Sequence, residues 1–168
     1  MGTISAEAVT KTWQAMSLIT TAEAADLMSQ MAVEQPVILA HLAALHDMPF
    51  NQHEKELLHY FGVVIWQMVK QSPKRLLKVT HKKLNRAESA NLDALELLAS
   101  DTEADFFSAT QFTLENYEEP EVFAYILTAI MDEEEYEAND DTPIRDEYRG
   151  LAFIHLKIAL DAFVDSLR

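Results

Sequence analysis

Apolar residues recur every three or four positions along most of the chain, and short polar stretches interrupt the pattern at intervals. This spacing is typical of amphipathic helices, in which one stripe of side chains faces the core. The run Val63-Val64-Ile65-Trp66 has high strand propensity, but it lies inside a longer helical pattern, so no strand is expected. The pattern predicts helices at about 6–17, 21–33, 36–46, 52–71, 73–85, 87–99, 102–116, 119–132 and 143–167.

Residues that favour helix starts mark several of these boundaries. Four segments carry a capping residue followed three positions later by glutamate, so that both side chains can bind amides of the first turn. These pairs are Thr20 and Glu23, Asn51 and Glu54, Asn85 and Glu88, and Ser100 and Glu103. Ser72-Pro73 and Thr142-Pro143 each place a proline at a first helical position, where its missing N–H is harmless. The predicted fold class is all-α, a compact bundle of about eight or nine helices.

The predicted helix 143–167 has one broad apolar face and one charged face. The apolar face comprises Ile144, Tyr148, Leu151, His155, Ile158, Ala159 and Ala162, and the charged face comprises Asp146, Glu147, Lys157, Asp161 and Asp165. His155 lies at the centre of the apolar face, so we expect a core histidine with a hydrogen-bond partner rather than a catalyst.

The predicted helix 52–71 is apolar on nearly all sides, which is typical of a helix at the centre of its domain. The alternative is that His59, Val63 and Trp66, spaced at i, i+4 and i+7, form a surface patch. Such a patch would bind a partner protein or a second subunit of a homo-oligomer, with Trp66 as its aromatic anchor.

A weak internal repeat divides the chain, which is otherwise expected to form one domain over 1–168. The segment that begins Glu34-Gln35-Pro36 aligns with the one that begins Glu118-Glu119-Pro120, 84 residues later. Tyr60-Phe61-Gly62 aligns with Tyr148-Arg149-Gly150. If the duplication is genuine, 20–71 and 102–167 are two similar halves about a pseudo-twofold axis, joined by a basic helix 73–85 and a helix 87–99.

The composition excludes several classes of chemistry. The chain of 168 residues contains only three glycines. It contains no cysteine, and this absence excludes disulfide scaffolds, thiolate metal sites and cysteine nucleophiles. There is no basic and apolar leader at the start, and the longest apolar stretch, 57–69, is too short to span a bilayer. A cytoplasmic location is therefore expected.

Charge is segregated along the chain, whose net charge is −15. Residues 1–69 carry a net charge of −5 and residues 88–168 carry −17, whereas 70–87 contain seven bases and no acid. Besides Lys70, these bases are Lys74, Arg75, Lys78, Lys82, Lys83 and Arg86. On a helix they form a cationic face that can bind phosphates, anionic lipid or an acidic protein. The alternative is that this face complements the protein's own acidic residues, such as those within 132–141.

Metal and catalytic motifs are sparse. Glu56 and His59 form one Glu-x-x-His on a predicted helix, with His53 three residues before Glu56. A di-iron bundle site needs two such motifs and two further inward glutamates, and the sequence contains no second Glu-x-x-His. No glycine-rich phosphate loop or nucleophile elbow is present, so neither a cofactor nor a catalytic residue is predicted.

The sequence favours a non-catalytic function. We expect an acidic protein-interaction module, an adaptor or regulator of another protein, with inhibition of a basic protein as one version. Nucleic acid is a less favoured partner, because the negative charge of both flanking regions repels phosphate. The alternatives are a nucleic-acid or anionic-surface binder that uses the basic segment 70–86, and a metal-dependent helical-bundle enzyme that uses Glu56 and His59.

Overall fold

The computed structural model describes residues 2–99, 110, 113–131 and 144–168, and it has an all-α fold. Eight α-helices are described, and a short 3-10 turn, Leu45–Asp47, follows the third. They are α1 (Ala6–Ser17), α2 (Thr21–Glu34), α3 (Pro36–Ala44), α4 (Gln52–Val69), α5 (His81–Ala90), α6 (Leu92–Ala99), α7 (Pro120–Met131) and α8 (Asp146–Asp165). Residues 113–116 are also helical.

The caps predicted for α2 and α4 are confirmed. The side chain of Thr20 accepts a hydrogen bond from the Glu23 amide, and Asn51 and Glu54 form a reciprocal capping box. Two predicted starts are wrong. Asn85 lies in the middle of α5, and the Ser72 hydroxyl accepts from the Lys74 amide in a turn instead of capping a helix. The predicted start at Ser100 lies outside the described residues. The helix predicted to begin at 143 begins instead at Asp146, with Arg145 as its cap residue.

The long helices α4 and α8 pack against each other at the centre of the fold, as the apolar sequence of α4 predicted. Helix α8 is buried more completely than expected, because α5, α7 and α4 cover different sides of it. Phe153, Leu156 and Phe163 lie outside the predicted apolar face and are nevertheless buried. The prediction of one apolar face therefore underestimated how much of the surface of α8 is buried.

The predicted helix 73–85 is wrong over its first eight residues. Residues 73–80 are not helical, and α5 begins only at His81 with Thr80 as its cap. The Arg75 amide donates to the Arg168 carbonyl at 2.7 Å, and the Leu77 amide donates to the Ser166 carbonyl at 2.9 Å. This pairing with the last residues of the chain satisfies the backbone without a helix, which a local pattern cannot anticipate.

The predicted helix 87–99 is also wrong, because the chain turns at Asn91 between α5 and α6. The Asn91 side-chain amide donates to the Ala87 carbonyl at 2.7 Å, which satisfies a carbonyl near the end of α5. In the part of the chain that the structure describes, no helix has both the length and the apolar content required to cross a lipid bilayer.

Candidate partner-binding cleft

An apolar cleft of about 310 Å³ lies between α4 and the pair formed by α1 and α2. Its apolar lining consists of Met16, Ile19, Ala24, Leu27, Met28 and Val63. Its polar lining consists of His46, Lys55, Glu56, His59 and Tyr60. A concave apolar surface with a few polar groups is the usual form of a binding site in a protein.

Two titratable side chains of the cleft, His59 and Tyr60, have pKa values that differ from their ordinary values. The His59 Nε2 atom is buried without a hydrogen-bond partner among the described residues. Burial, with a smaller contribution from His46, lowers the pKa of His59, so its ring is neutral at pH 7. Burial also raises the pKa of the Tyr60 hydroxyl. Glu56 already accepts a hydrogen bond from the Gln52 side chain at 3.1 Å.

Of the three residues predicted as a surface patch, the structure places His59 and Val63 in the cleft and Trp66 in the core. The Trp66 side chain is 0% exposed, and the Lys70 ammonium lies 4.6 Å from its ring centroid. The prediction of Trp66 as an exposed anchor is therefore wrong, because α1 and α8 both pack against α4. A residue in that position stabilises the fold instead of contacting a partner.

Sequence reasoning missed the half of the cleft that α1 and α2 supply. Ala24, Leu27 and Met28 follow the i, i+3, i+4 spacing of a buried helix face, yet all three remain half-buried. That incomplete burial depends on how far α2 stands from α4, which the sequence pattern does not encode.

The metal-ligand candidates do not converge. Among the residues that the structure describes, no group of three His, Cys, Asp or Glu side chains is placed to hold a metal ion. Residues three apart on a helix are rotated by about 60°, so His53 and His59 point about 120° apart on α4. Glu56 lies between them, and the three side chains fan outwards.

The predicted basic face is divided because 73–80 is not helical. Three of its members bind the protein itself: Lys70 pairs with Glu34 at 3.6 Å, while Lys83 and Arg86 both bind Asp165. The Lys83 ammonium reaches the Asp165 carbonyl at 2.8 Å, and Arg86 reaches its carboxylate at 2.9 Å. The side chains of Lys74, Arg75, Lys78 and Lys82 are exposed. The acidic stretch 132–141, predicted as a complement to this face, lies outside the described residues.

A polar network that the sequence did not predict lies beside α8. The Asp161 carboxylate accepts from the Tyr117 hydroxyl at 2.5 Å, from Asn91 at 2.8 Å and from Lys157 at 2.9 Å. Burial, reinforced by the Asp161 charge, raises the pKa of Tyr117 well above its ordinary value. Every member is bound by another member, so the network fastens α5 and the segment before α7 to α8.

His155 is a core residue, as predicted, but the predicted hydrogen bond to its ring is wrong. Its two ring nitrogens are buried and have no partner within the described parts of the chain. The neighbouring His41 instead donates to the His155 backbone carbonyl at 3.0 Å. Burial, with a contribution from His41, lowers the pKa of His155 to about 4.

No family model, curated protein or solved structure matches this chain. The cleft combines apolar contact area with a neutral histidine and one charge of each sign, an arrangement suited to binding.

Proposed function

We propose that this protein is a non-catalytic interaction module, an adaptor or regulator in the cytoplasm that binds another protein through the apolar cleft. The observation that carries the proposal is the cleft itself, in which half-buried apolar side chains of α2 face Val63 and Tyr60 of α4. Exposed apolar area of this kind weakens solubility unless a partner covers it.

Two features of the lining favour a protein partner. Met16 and Met28 supply flexible, polarisable side chains, which adapt to the shape of a partner's side chains. Apolar area also continues beyond the cleft, since Leu18, next to the lining residue Ile19 in the chain, is 82% exposed. This surface is wider than a small molecule held in the cleft would cover.

Nucleic-acid binding through 70–86 is the less favoured proposal, because Lys70, Lys83 and Arg86 bind groups of the protein itself. Its test is a gel shift at low salt with DNA or RNA, and with a Lys74/Lys78/Lys82→Glu variant as control. A shift that the variant abolishes would favour this alternative.

The cleft is tested by affinity capture from the native cell extract with three forms of the full chain. Leu27→Glu places a charge in the cleft, and Val33→Glu places the same charge on the exposed side of the same helix. We expect wild type and Val33→Glu to retain one dominant partner that Leu27→Glu loses. Circular dichroism and thermal unfolding establish that both variants are folded.

If folded Leu27→Glu retains the same proteins as wild type, the cleft is not the binding surface and the proposal fails. The proposal also fails if native mass spectrometry finds an apolar small molecule on wild type that Leu27→Glu lacks, because the cleft would then be a ligand site.

A further inference from the structure

We infer that the occupant of the cleft is a basic amphipathic helix of the partner protein. This inference rests on the proposed function and adds the chemistry of the partner. Three observations lead to it: the length of the cleft along α4, the acidic residues around it, and the apolar surface at its edge.

The dimensions of the cleft suit about two turns of helix. Its α4 lining extends from Lys55 to Val63, a rise of about 12 Å at 1.5 Å per residue. A partner helix packed along α4 would present apolar residues at i, i+3 or i+4, and i+7 over that length.

The charges around the cleft favour basic flanks on that helix. Glu23 and Asp26 are exposed on α2 beside the cleft residues Ala24 and Leu27, and the exposed Glu56 lines the α4 side. Lys55 is the one base in the lining, and it is half-buried. Because the whole chain carries a charge of −15, long-range attraction also selects basic partners.

The test uses fluorescence anisotropy with the full chain and three labelled peptides of about 18 residues, a length that exceeds the cleft at both ends. The first peptide carries leucine and lysine at helical period, and the second has glutamate in place of lysine. The third has the lysine peptide's composition in an order without an apolar stripe. Leu27→Ser and Val33→Ser are the matched cleft and control variants, both on α2.

We expect the amphipathic lysine peptide to bind at least about tenfold more tightly than either of the other peptides. Leu27→Ser should weaken that binding by about tenfold, and Val33→Ser should leave it unchanged. Glu23→Gln and Glu56→Gln should each weaken it by about two- to fivefold at low salt, with a smaller effect at high salt.

Equal binding of the lysine and glutamate peptides would overturn the inference, as would binding that folded Leu27→Ser does not weaken. The capture experiment separates this failure from failure of the proposed function. If Leu27→Glu loses a partner whose binding segment is acidic or extended, the cleft is the interaction surface and only the inferred helix chemistry is wrong.

Discussion

Gln35 and Glu119 each precede the proline that begins a helix, and each binds the backbone of a remote segment with a buried side chain. Gln35 accepts from the Val79 amide at 2.9 Å, and Glu119 accepts from the Ile4 amide at 2.9 Å. Both side chains are almost fully buried. The two positions are 84 residues apart, the offset of the predicted internal repeat. Both residues therefore fix a remote backbone segment to the start of a helix, and the duplication itself stays a prediction.

We expect the contribution of Glu119 to the free energy of unfolding to change with pH. Burial raises its pKa above 4.5, and the Ile4 amide and Lys74 offset part of the effect. A raised carboxyl pKa means that its contribution to the free energy of unfolding is greatest below pH 4.5 and decreases as the pH rises. Glu119→Gln keeps an acceptor for Ile4 and removes the charge, so it should stabilise the protein at pH 7 and have little effect at pH 4.

The measurement is urea unfolding of wild type and Glu119→Gln at both pH values, with exposed Glu118→Gln as the matched control. Glu119→Ala should reduce the free energy of unfolding by about 1–3 kcal/mol, because the Ile4 amide is left buried without an acceptor. Stabilisation by Glu118→Gln equal to that by Glu119→Gln would show that reduced net charge, rather than the buried carboxylate, is responsible.

Gly62 permits α3 to approach α4, and its replacement should be destabilising. A Cβ atom at this position would lie 2.5 Å from Cδ1 of Leu42, which is buried in the core. Glycine to alanine in a helix ordinarily stabilises by about 0.5–1 kcal/mol. Here we expect Gly62→Ala to reduce the free energy of unfolding by about 1–3 kcal/mol, because the overlap outweighs the gain in propensity.

A double-mutant cycle with Leu42→Ala checks this explanation of Gly62. In the Leu42→Ala background the space is available, so Gly62→Ala should become neutral or stabilising. An equal loss in both backgrounds would mean that the effect has another cause.

His155 should make the protein less stable in mild acid. Its pKa falls from 6.5 to about 4 because burial disfavours the charged ring. A lowered histidine pKa means that the unfolded chain takes up a proton first, so stability is lost as the pH falls from 6.5 towards 4. The loss from this residue approaches about 3 kcal/mol at pH 4.

Chemical denaturation of His155→Leu at pH 7 and pH 5 measures this contribution. At pH 7 the variant should be neutral or more stable than wild type, because neither ring nitrogen is paired. Its advantage should increase at pH 5. His81→Gln removes an exposed histidine and should show no such increase; an increase in that variant would assign the effect to net charge.

Much of the fold follows from local sequence, because caps and apolar periodicity are local properties. The prediction for α1 matches its observed range, and α4 begins at its predicted capping box. The errors occur where distant residues compete for the backbone. Residues 73–80 have a helical pattern, but Gln35 and the last residues of the chain bind their amides and carbonyls. That competition depends on tertiary structure, so the pattern cannot reveal it.

The candidate site was harder to predict than the fold. The spacing of His59, Val63 and Trp66 on α4 predicts one shared surface. His59 and Val63 line the cleft, whereas Trp66 is fully buried. The distinction depends on which sides of α4 the helices α1 and α8 cover, and periodicity gives no information about those neighbours.

Glu54 connects the start of α4 to the chain before α8. We expect its contribution to the free energy of unfolding to depend on pH as well. Its carboxylate is fully buried and accepts from the Asn51 amide, the Arg145 amide and the Arg145 guanidinium, each at 2.8 Å. Burial alone would raise the pKa of Glu54, but the hydrogen bonds from Arg145 and Asn51 outweigh it and leave the pKa below 4.5. The stabilisation is therefore present above pH 4.5 and is lost as the pH falls through the lowered value.

Glu54→Gln should therefore reduce the free energy of unfolding by about 1–3 kcal/mol at pH 7. The glutamine side-chain amide cannot replace a carboxylate that accepts several charge-assisted hydrogen bonds. Since the Arg145 side chain is 43% exposed, it can turn towards water, which keeps the loss below that of a fully buried pair. Exposed Glu56→Gln on the same helix should change stability by less than about 0.5 kcal/mol. Urea unfolding at pH 7 and pH 3 should show the cost of Glu54→Gln shrinking in acid, and a cost that persists unchanged at pH 3 would assign it to packing rather than to charge.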